Sequence, residues 1–232
     1  MAAGATGIHG KVPARGDFVT RNLPRSFVEP WDDWLQAGMA ASREQLGERW
    51  LPIYLESPIW RFVLAPGVCG PDGWAGVLMP SVDKVGRYFP LTIAEPLAGT
   101  AHPLVAAMNA TAWFEGAEAL AVRALEDDHL ELEGFVGEVA GLATVPSLEI
   151  ASPPVLLGGS AAEEWCVSLD TAAAIGAALA VVLDRVLVER GQPYTMWWTD
   201  GGPQVQGHCR VHPHLPPADR FQHLLAQPTP VP

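Results

Sequence analysis

Three charged residues stand close together between two apolar stretches of the chain. Asp83, Lys84 and Arg87 interrupt the segment 73–93, GWAGVLMPSVDKVGRYFPLTI, where an apolar hairpin would otherwise be expected. A carboxylate beside cations can act as a general base or as a nucleophile. The residue types therefore allow a small hydrolase or phosphate-handling enzyme that uses Asp17 or Asp83 with Lys84 and Arg87.

A second group of charges, Lys11, Arg15, Asp17 and Arg21, lies in the N-terminal segment GKVPARGDFVTR. Together with the charges around Asp83, these residues can form a recognition surface for a partner protein or a small anion. They can equally brace the loops at one edge of a sheet, because ion-pair networks form in both settings. The residue types alone leave both interpretations open.

Two further residues belong to the candidate surface for different reasons. Arg61 lies inside the apolar run IWRFVL, and an unpaired buried charge costs several kcal/mol. A nearby carboxylate is therefore predicted, with Asp17 or Asp83 as the available choices. Trp197 and Trp198 are adjacent on a predicted strand and must point to opposite faces, so one of them, Trp198, is placed on the ligand side.

The chain lacks the common sequence signatures of catalysis. It contains no P-loop, no GxGxxG, no HExxH, no CxxC and no GxSxG. The densest set of metal-ligand types is His208, Cys209, His212 and His214, and on a strand the three histidines would share a face. Because Pro213 interrupts this spacing, we interpret them as strand and loop histidines, and we predict no catalytic residue, metal or cofactor.

Apolar spacing predicts the elements that must position these groups. Short runs rich in branched and aromatic residues indicate buried strands, and apolar residues every three to four positions indicate helices. Strands are predicted near 6–12, 59–64, 74–79, 88–94, 165–169, 194–199 and 205–211, and helices near 26–48, 103–125, 130–145 and 171–189.

Predicted strands both precede and follow the Ala-rich helices in the sequence. If these strands form one sheet, helices must cover both of its faces. The predicted fold class is α/β (α+β), a three-layer α-β-α sandwich around a mixed, largely antiparallel sheet. The most linker-like segment is SPPVLLGGSAAEE at 152–164. We predict a single domain over residues 1–226, with 152–164 as the candidate internal boundary, and a disordered tail at 227–232.

Composition limits the classes of partner and the compartment. The net charge is −12, with most of the acidic excess after residue 100. Such a surface repels nucleic acid and anionic lipid. The three cysteines are odd in number and widely spaced, which favours a reducing compartment, and we predict a cytoplasmic location. No apolar run is long enough to span a bilayer, so no membrane insertion is expected.

Five blocks occur in an order that resembles the TagF family, also called ImpM, of accessory proteins from bacterial type VI secretion gene clusters. They are GKVPARGDFVTRNLP (10–24), EPWDDWLQAGM (29–39), SPIWRFVL (57–64), GWAGVLMPSVDKVGRYFPLTI (73–93) and MWWTDGG (196–202). The resemblance covers most of the chain, although residues 100–160 contribute little to it.

The resemblance implies a cytoplasmic, non-catalytic regulator that restrains type VI secretion after translation by protein–protein interaction. It also implies partners among the secretion components, in some systems the forkhead-associated scaffold protein, and a fold similar to longin-type adaptor domains. The phosphatase domain attached in some relatives is not expected here. The expected partner or ligand surface comprises Lys11, Arg15, Asp17, Arg61, Asp83, Lys84, Arg87 and Trp198.

Overall fold

Seven antiparallel strands form the central sheet of this protein. The computed structural model describes residues 5–97, 102–146, 155–157, 164–166, 175–189 and 191–227. In chain order the strands are β1 (Gly7–Gly10), β2 (Val19–Arg21), β3 (Trp60–Leu64), β4 (Trp74–Met79), β5 (Leu91–Pro96), β6 (Val155–Leu157), β7 (Glu164–Cys166), β8 (Tyr194–Gly202) and β9 (Val205–Pro213). The order across the sheet is β2-β1-β5-β4-β3-β8-β9, while β6 and β7 pair with each other as a separate hairpin.

Helices cover both faces of the sheet. They are α1 (Arg25–Leu46), α2 (Trp50–Leu55), α3 (Pro103–Asn109), α4 (Thr111–Glu126), α5 (Leu132–Ala140), α6 (Ile175–Glu189) and α7 (Gln222–Leu225), with 3-10 turns at Gly47–Arg49 and Ala218–Arg220. Side chains of α1, α2 and α7 share one apolar cluster with one face of the sheet, and side chains of α3, α4, α5 and α6 share a second cluster with the other face.

Alternation along the strands decides which side chain reaches which layer. Trp60, Phe62 and Leu64 of β3 belong to the cluster beneath α1, whereas Val63 belongs to the cluster beneath α4. This period of two is the geometry of an extended chain. Both faces of β3 and β4 are buried, which explains why these strands read as continuous apolar runs in the sequence.

Trp31 of α1 is the centre of the aromatic layer on its face of the sheet. Its ring lies 4.7 Å from Phe62 and stacks on Trp197 at 5.9 Å, and its indole N–H donates to the Thr92 hydroxyl at 2.9 Å. A fully buried indole needs such a partner, because an unsatisfied polar group in the core is costly. Trp31 therefore fixes α1 against β5, β3 and β8 at once.

The predicted fold class is confirmed: the protein is an α-β-α sandwich around an antiparallel sheet. The helix predicted over 26–48 is α1, which contains Pro30 in its second turn. The Ala-rich stretch 103–125 is two helices, because Ala110 leaves the helical conformation between α3 and α4.

Several sequence predictions fall on residues that the structure describes only in part. Within the linker-like segment 152–164, the described residues 155–157 form a strand that pairs with Glu164–Cys166. The remainder of 152–164, residues 171–174 of the predicted helix and residues 228–232 of the predicted tail lie outside the described residues. Among the described helices, none combines the length and the apolar character that crossing a membrane requires.

Gly76 of β4 is a sensitive position in the sheet, because a methyl group there would lie 2.3 Å from the Phe62 ring and 2.8 Å from the Ile93 carbonyl oxygen. Phe62 cannot withdraw, since Trp31 and Trp197 contact it. We expect Gly76→Ala to lower the free energy of unfolding by about 2 kcal/mol in a urea titration.

Gly137→Ala is the matched control, because a methyl group at Gly137 meets open space on helix α5. This control should leave stability unchanged or raise it by up to about 1 kcal/mol through helix propensity. Equal stability of the two variants would contradict the packing described for Phe62 over Gly76.

Candidate functional site: two loops at one end of the sheet

Two loops that are far apart in sequence meet at one end of the sheet. The first, residues 11–18, follows β1, and the second, residues 80–90, joins β4 to β5. Because β1 and β5 are antiparallel neighbours, with His9 opposite Thr92, the end of β1 lies beside the start of β5. The charges predicted from these two segments are thereby brought together.

Asp83 organises the second loop through its own backbone neighbours. Its Oδ1 accepts the N–H groups of Val85 at 3.0 Å and Arg87 at 2.9 Å, and its carbonyl oxygen accepts the N–H of Gly86 at 3.0 Å. Gly86 has a φ of 83°, which glycine adopts without strain. The sequence DKVGR therefore forms a tight turn around one carboxylate.

The other oxygen of Asp83 binds two cations. Oδ2 accepts hydrogen bonds from Lys11 Nζ at 2.9 Å and from Arg87 Nε at 2.7 Å, and the carboxylate is fully buried. Burial favours the neutral acid, but the hydrogen bonds from Arg87, Lys11 and Val85 outweigh it and hold the pKa of Asp83 well below its usual range. Asp83 is therefore a buried carboxylate that is ionised at neutral pH.

Backbone contacts hold the two loops to each other. The N–H of Lys84 donates to the Arg15 carbonyl oxygen at 2.9 Å, and the Arg87 guanidinium donates to the carbonyl oxygen of Gly16. Deeper in the molecule, the Ser81 hydroxyl donates to the Lys11 carbonyl oxygen at 2.8 Å. The loops thus behave as one structural unit with Asp83 at its centre.

The solvent side of this unit combines cations with apolar groups. Phe18 is 45% exposed and Val85 67% exposed, beside exposed charged side chains. The Phe18 ring packs edge-on against Phe89, with 4.8 Å between the ring centroids, and Lys11 Nζ lies 4.9 Å from the centroid of the Phe18 ring. We call this the double-loop surface, which consists of Arg15, Asp17, Phe18, Lys84, Val85 and Arg87.

This geometry disfavours Asp83 as a catalytic group. A nucleophile or general base must reach its substrate, whereas Asp83 is buried and both of its oxygens already accept hydrogen bonds. Asp17 is exposed, and its Oδ1 accepts the N–H of Phe18 in its own turn at 2.8 Å. The contacts around Asp83 brace the loops, and the exposed groups beside it form a surface.

The prediction that Arg61 pairs with Asp17 or Asp83 is wrong. Arg61 forms a bidentate pair with Glu118 of α4, at 2.6 and 2.9 Å, and a further pair with Asp200 at 3.2 Å. Hydrogen bonding to Glu118 raises the pKa of Arg61. The physical reason is strand alternation: Arg61 points to the α4 face of β3, and two strands separate β3 from β1 in the sheet order.

Trp198 lies with Arg61, apart from the double-loop surface. It is paired with Arg61 across β3 and β8, and its ring packs edge-on against Phe114 of α4 at 4.9 Å. Trp197, its neighbour in sequence, is buried on the opposite face beneath α1. The predicted opposite orientation of the two tryptophans is confirmed, whereas the structure separates Arg61 and Trp198 from the other predicted site residues.

The histidines near the C-terminus are distributed along β9 and the turn that follows it. His208 accepts a hydrogen bond from Arg210 Nε at 2.7 Å, and its ring packs edge-on against Trp60. Among the described residues, no group of three or more His, Cys, Asp or Glu side chains is arranged to hold a metal ion. His208 and His212 are instead part of the edge strand β9.

Sequence reasoning missed a buried polar group between α3, α6 and β8. Asp184 accepts hydrogen bonds from the Tyr194 hydroxyl and from His102 Nδ1, the latter at 2.7 Å. The bond to Asp184 raises the pKa of His102, and burial followed by the nearby Asp184 charge raises that of Tyr194. Eighty-two positions separate His102 from Asp184, so no local pattern joins them.

Phe18, Val85 and Glu118 were also missed as members of the candidate sites. The sequence offers a signal for the first two, since each is a large apolar residue flanked by charges in a segment rich in turn residues. Glu118 is one of several acidic residues on an Ala-rich helix, and only the packing of α4 over β3 distinguishes it. The local sequence pattern does not show which residues pair when they are far apart in the chain.

Comparisons with known proteins give a consistent result. Residues 7–142 match the family described as the TagF N-terminal domain, type VI secretion system-associated. The crystal structure of PA0076 from Pseudomonas aeruginosa PAO1 superimposes with a TM-score of 0.82 at 36% sequence identity, covering 98% of this chain and 96% of that chain. No curated protein matched this chain significantly.

Asp83→Asn tests the buried carboxylate, because it leaves the Lys11 ammonium buried without a charged partner. We expect the free energy of unfolding at pH 7 to fall by about 3 kcal/mol. Lys84→Ala, at an exposed position in the same turn, should change it by less than about 0.5 kcal/mol. Chemical denaturation with both variants measures the difference.

The stability difference between the wild type and Asp83→Asn should also depend on pH. A lowered pKa in the folded state means that the ionised Asp83 stabilises the fold above the unfolded-state pKa of about 4, and that this contribution is lost as the pH falls below that value. The stability gap between wild type and Asp83→Asn should therefore narrow below about pH 4. A gap that stays constant through the acid range would rule out this role for the carboxylate.

Proposed function

We propose that this chain, which belongs to the TagF N-terminal domain family of type VI secretion system-associated proteins, regulates that system by binding another of its components. The observation that carries the proposal is the double-loop surface. It combines exposed apolar groups, Phe18 and Val85, with exposed cations on loops that a buried ion pair holds rigid. Aromatic and Arg side chains in a preformed setting are typical anchors of protein interfaces.

The charge of this surface suggests the chemistry of the partner. Arg15, Lys84 and Arg87 are exposed around Phe18, and they stand out in a chain whose net charge is −12. A partner with acidic side chains around an apolar pocket would be complementary in charge and would associate faster at low salt. Because the net charge of −12 repels phosphate backbones and anionic lipid, we take the partner to be a protein and not a nucleic acid or a lipid surface.

We further propose that the direct partner is the forkhead-associated scaffold protein of the secretion cluster and that the effect is post-translational repression in the cytoplasm. This finer assignment follows from the family to which the chain belongs.

A binding measurement with the purified scaffold protein tests the proposal. Phe18→Ala combined with Lys84→Glu should weaken binding by about a hundredfold, since it removes the apolar anchor and reverses a neighbouring charge. Arg25→Glu is the matched control, because the Arg25 side chain is 93% exposed at the start of α1, at the other end of the sheet. The control should bind as the wild type does.

The same variants have an expected outcome in cells. Loss of binding should raise secretion of a type VI effector into the medium while the transcripts of the cluster stay constant, and Arg25→Glu should leave secretion unchanged. Wild-type binding by the double variant, with its melting temperature unaltered, would show that the partner docks elsewhere. Unchanged secretion despite lost binding would argue against repression.

We also propose that residues 1–226 form one domain, although the family match ends at residue 142. Strand β8 pairs with β3 inside the sheet, and Trp197 of β8 stacks on Trp31 of α1. Gly38 of α1 is in close contact with the ring of Phe221, which belongs to the C-terminal part. Core contacts thus join the two parts on both sides of the family boundary.

A truncation measures this dependence. A fragment of residues 1–146 should lack a cooperative thermal transition, because β3 loses one of its two neighbouring strands and Trp31 loses a stacking partner. A fragment of residues 1–227 should melt as the full chain does. Cooperative melting of the shorter fragment would show that the N-terminal part folds independently.

A further inference from the structure

The two edges of the central sheet differ in length and in exposure. One edge is β2, three residues long. The other edge is β9, nine residues long, which pairs with β8 along its whole length from Val205 to Pro213. Proteins usually shorten or cover a free edge, because an open strand is a template for pairing with another chain. An edge of this length is therefore a candidate binding element.

The register shows which backbone groups of β9 point away from the sheet. The Tyr194 carbonyl oxygen accepts the Ala65 N–H at 2.9 Å, so Tyr194 bonds toward β3, and the Pro193 carbonyl oxygen accepts the His214 N–H at 2.8 Å. Bonding directions alternate along an antiparallel strand, so the even-numbered residues of β9 bond to β8. The outward amides and carbonyls belong to Gly207, Cys209 and Val211.

These outward positions are accessible. Gly207 and Cys209 are exposed, and the Val211 side chain is 45% exposed. An extended segment alongside β9 could form backbone hydrogen bonds with these three residues, which are every second residue of the strand. This arrangement is the geometry of strand addition, in which main-chain hydrogen bonds supply affinity and side chains on the two faces supply specificity.

One face of β9 carries Arg210 between two histidines. His208, Arg210 and His212 lie opposite Thr199, Trp197 and Thr195, and so share the α1 side of the sheet. Arg220 and His223 approach the same side: the pKa of His212 is lowered first by burial and then by the charges of Arg210, Arg220 and His223. A strand added here would place alternate side chains against Arg210 and the two flanking histidines.

The other face of β9 is apolar. Cys209 and Val211 lie opposite Trp198 and Met196, which pack against the cluster beneath α4. Side chains directly opposite on neighbouring strands lie about 5 Å apart, so a third strand would extend this apolar row. A strand that pairs with β9 should therefore carry different types of side chain on its two faces.

We propose that the outer edge of β9 binds an extended segment of a partner protein in which acidic and apolar residues alternate. The acidic side chains would face Arg210 and the histidines, and the apolar side chains would face Val211 and Cys209. The alternation follows from the period of two of an extended chain, combined with the unlike faces of β9. This edge is distinct from the double-loop surface, and the inference does not depend on the function proposed there.

Charge also decides against a second copy of this chain as the occupant. Two β9 strands paired edge to edge would bring Arg210 of one copy close to Arg210 of the other. Like charges directly opposite each other on a sheet are destabilising. An acidic segment meets no such repulsion.

Fluorescence anisotropy with a labelled synthetic peptide, Glu-Val-Glu-Val-Glu-Thr, tests the inference on the full chain at low salt. We expect this peptide to bind at least about tenfold more tightly than the peptide in which Lys replaces each Glu. Arg210→Glu should reverse the preference in favour of the Lys peptide. Arg25→Glu, which makes the same charge change on the exposed start of α1, should retain the original preference.

Amide hydrogen exchange locates the binding. In the free protein the amides of Gly207, Cys209 and Val211 should exchange fast while those of His208, Arg210 and His212 exchange slowly, and saturating Glu peptide should slow the first three. Absence of binding would mean that the charged side chains only protect the edge from aggregation. Protection elsewhere, or a concentration-dependent dimer that excludes the peptide, would likewise overturn the inference.

Discussion

The position of both loops at the candidate site depends on the buried carboxylate of Asp83. A charge in the core is tolerated only when its hydrogen-bonding capacity is filled, and here the backbone N–H groups of Val85 and Arg87 and the side chains of Lys11 and Arg87 fill it. Lys11 comes from one loop and Arg87 from the other. The requirement to neutralise Asp83 therefore sets where each loop runs, and what the loops show to solvent follows from it.

The protein separates its charges by role. Paired and buried charges, such as Asp83 with Lys11 and Arg61 with Glu118, join one element to another. Exposed cations surround Phe18, and the half-buried Arg210 lies on β9, within a chain that is strongly acidic overall. Because exposed like charges are screened over about 8 Å at physiological salt, these two regions act as separate local potentials. One acidic protein can thus present two different surfaces to partners that are themselves acidic.

Much of the architecture was predictable because it depends on local period. Continuous apolar runs identified β3 and β4, and the helical spacing of Trp31, Trp34 and Leu35 identified α1. Lys11 and Asp83 were both assigned to the candidate surface from their charged segments, but their pairing with each other was not predicted. The partner of Arg61 was not predicted either, because the choice among carboxylates depends on which helix covers which face. Strand order and the group around Asp184 depend on the same non-local packing, which no window of sequence contains.

The strand order has a consequence for synthesis of the chain. Arg61 of β3 pairs with Trp198 of β8, although more than half of the sequence separates them. At a translation rate of roughly 10 residues per second, β3 leaves the ribosome on the order of ten seconds before its neighbour exists. During that interval the apolar edge of the nascent sheet has no native partner, so the protein passes through a period in which chaperone occupancy competes with misassociation.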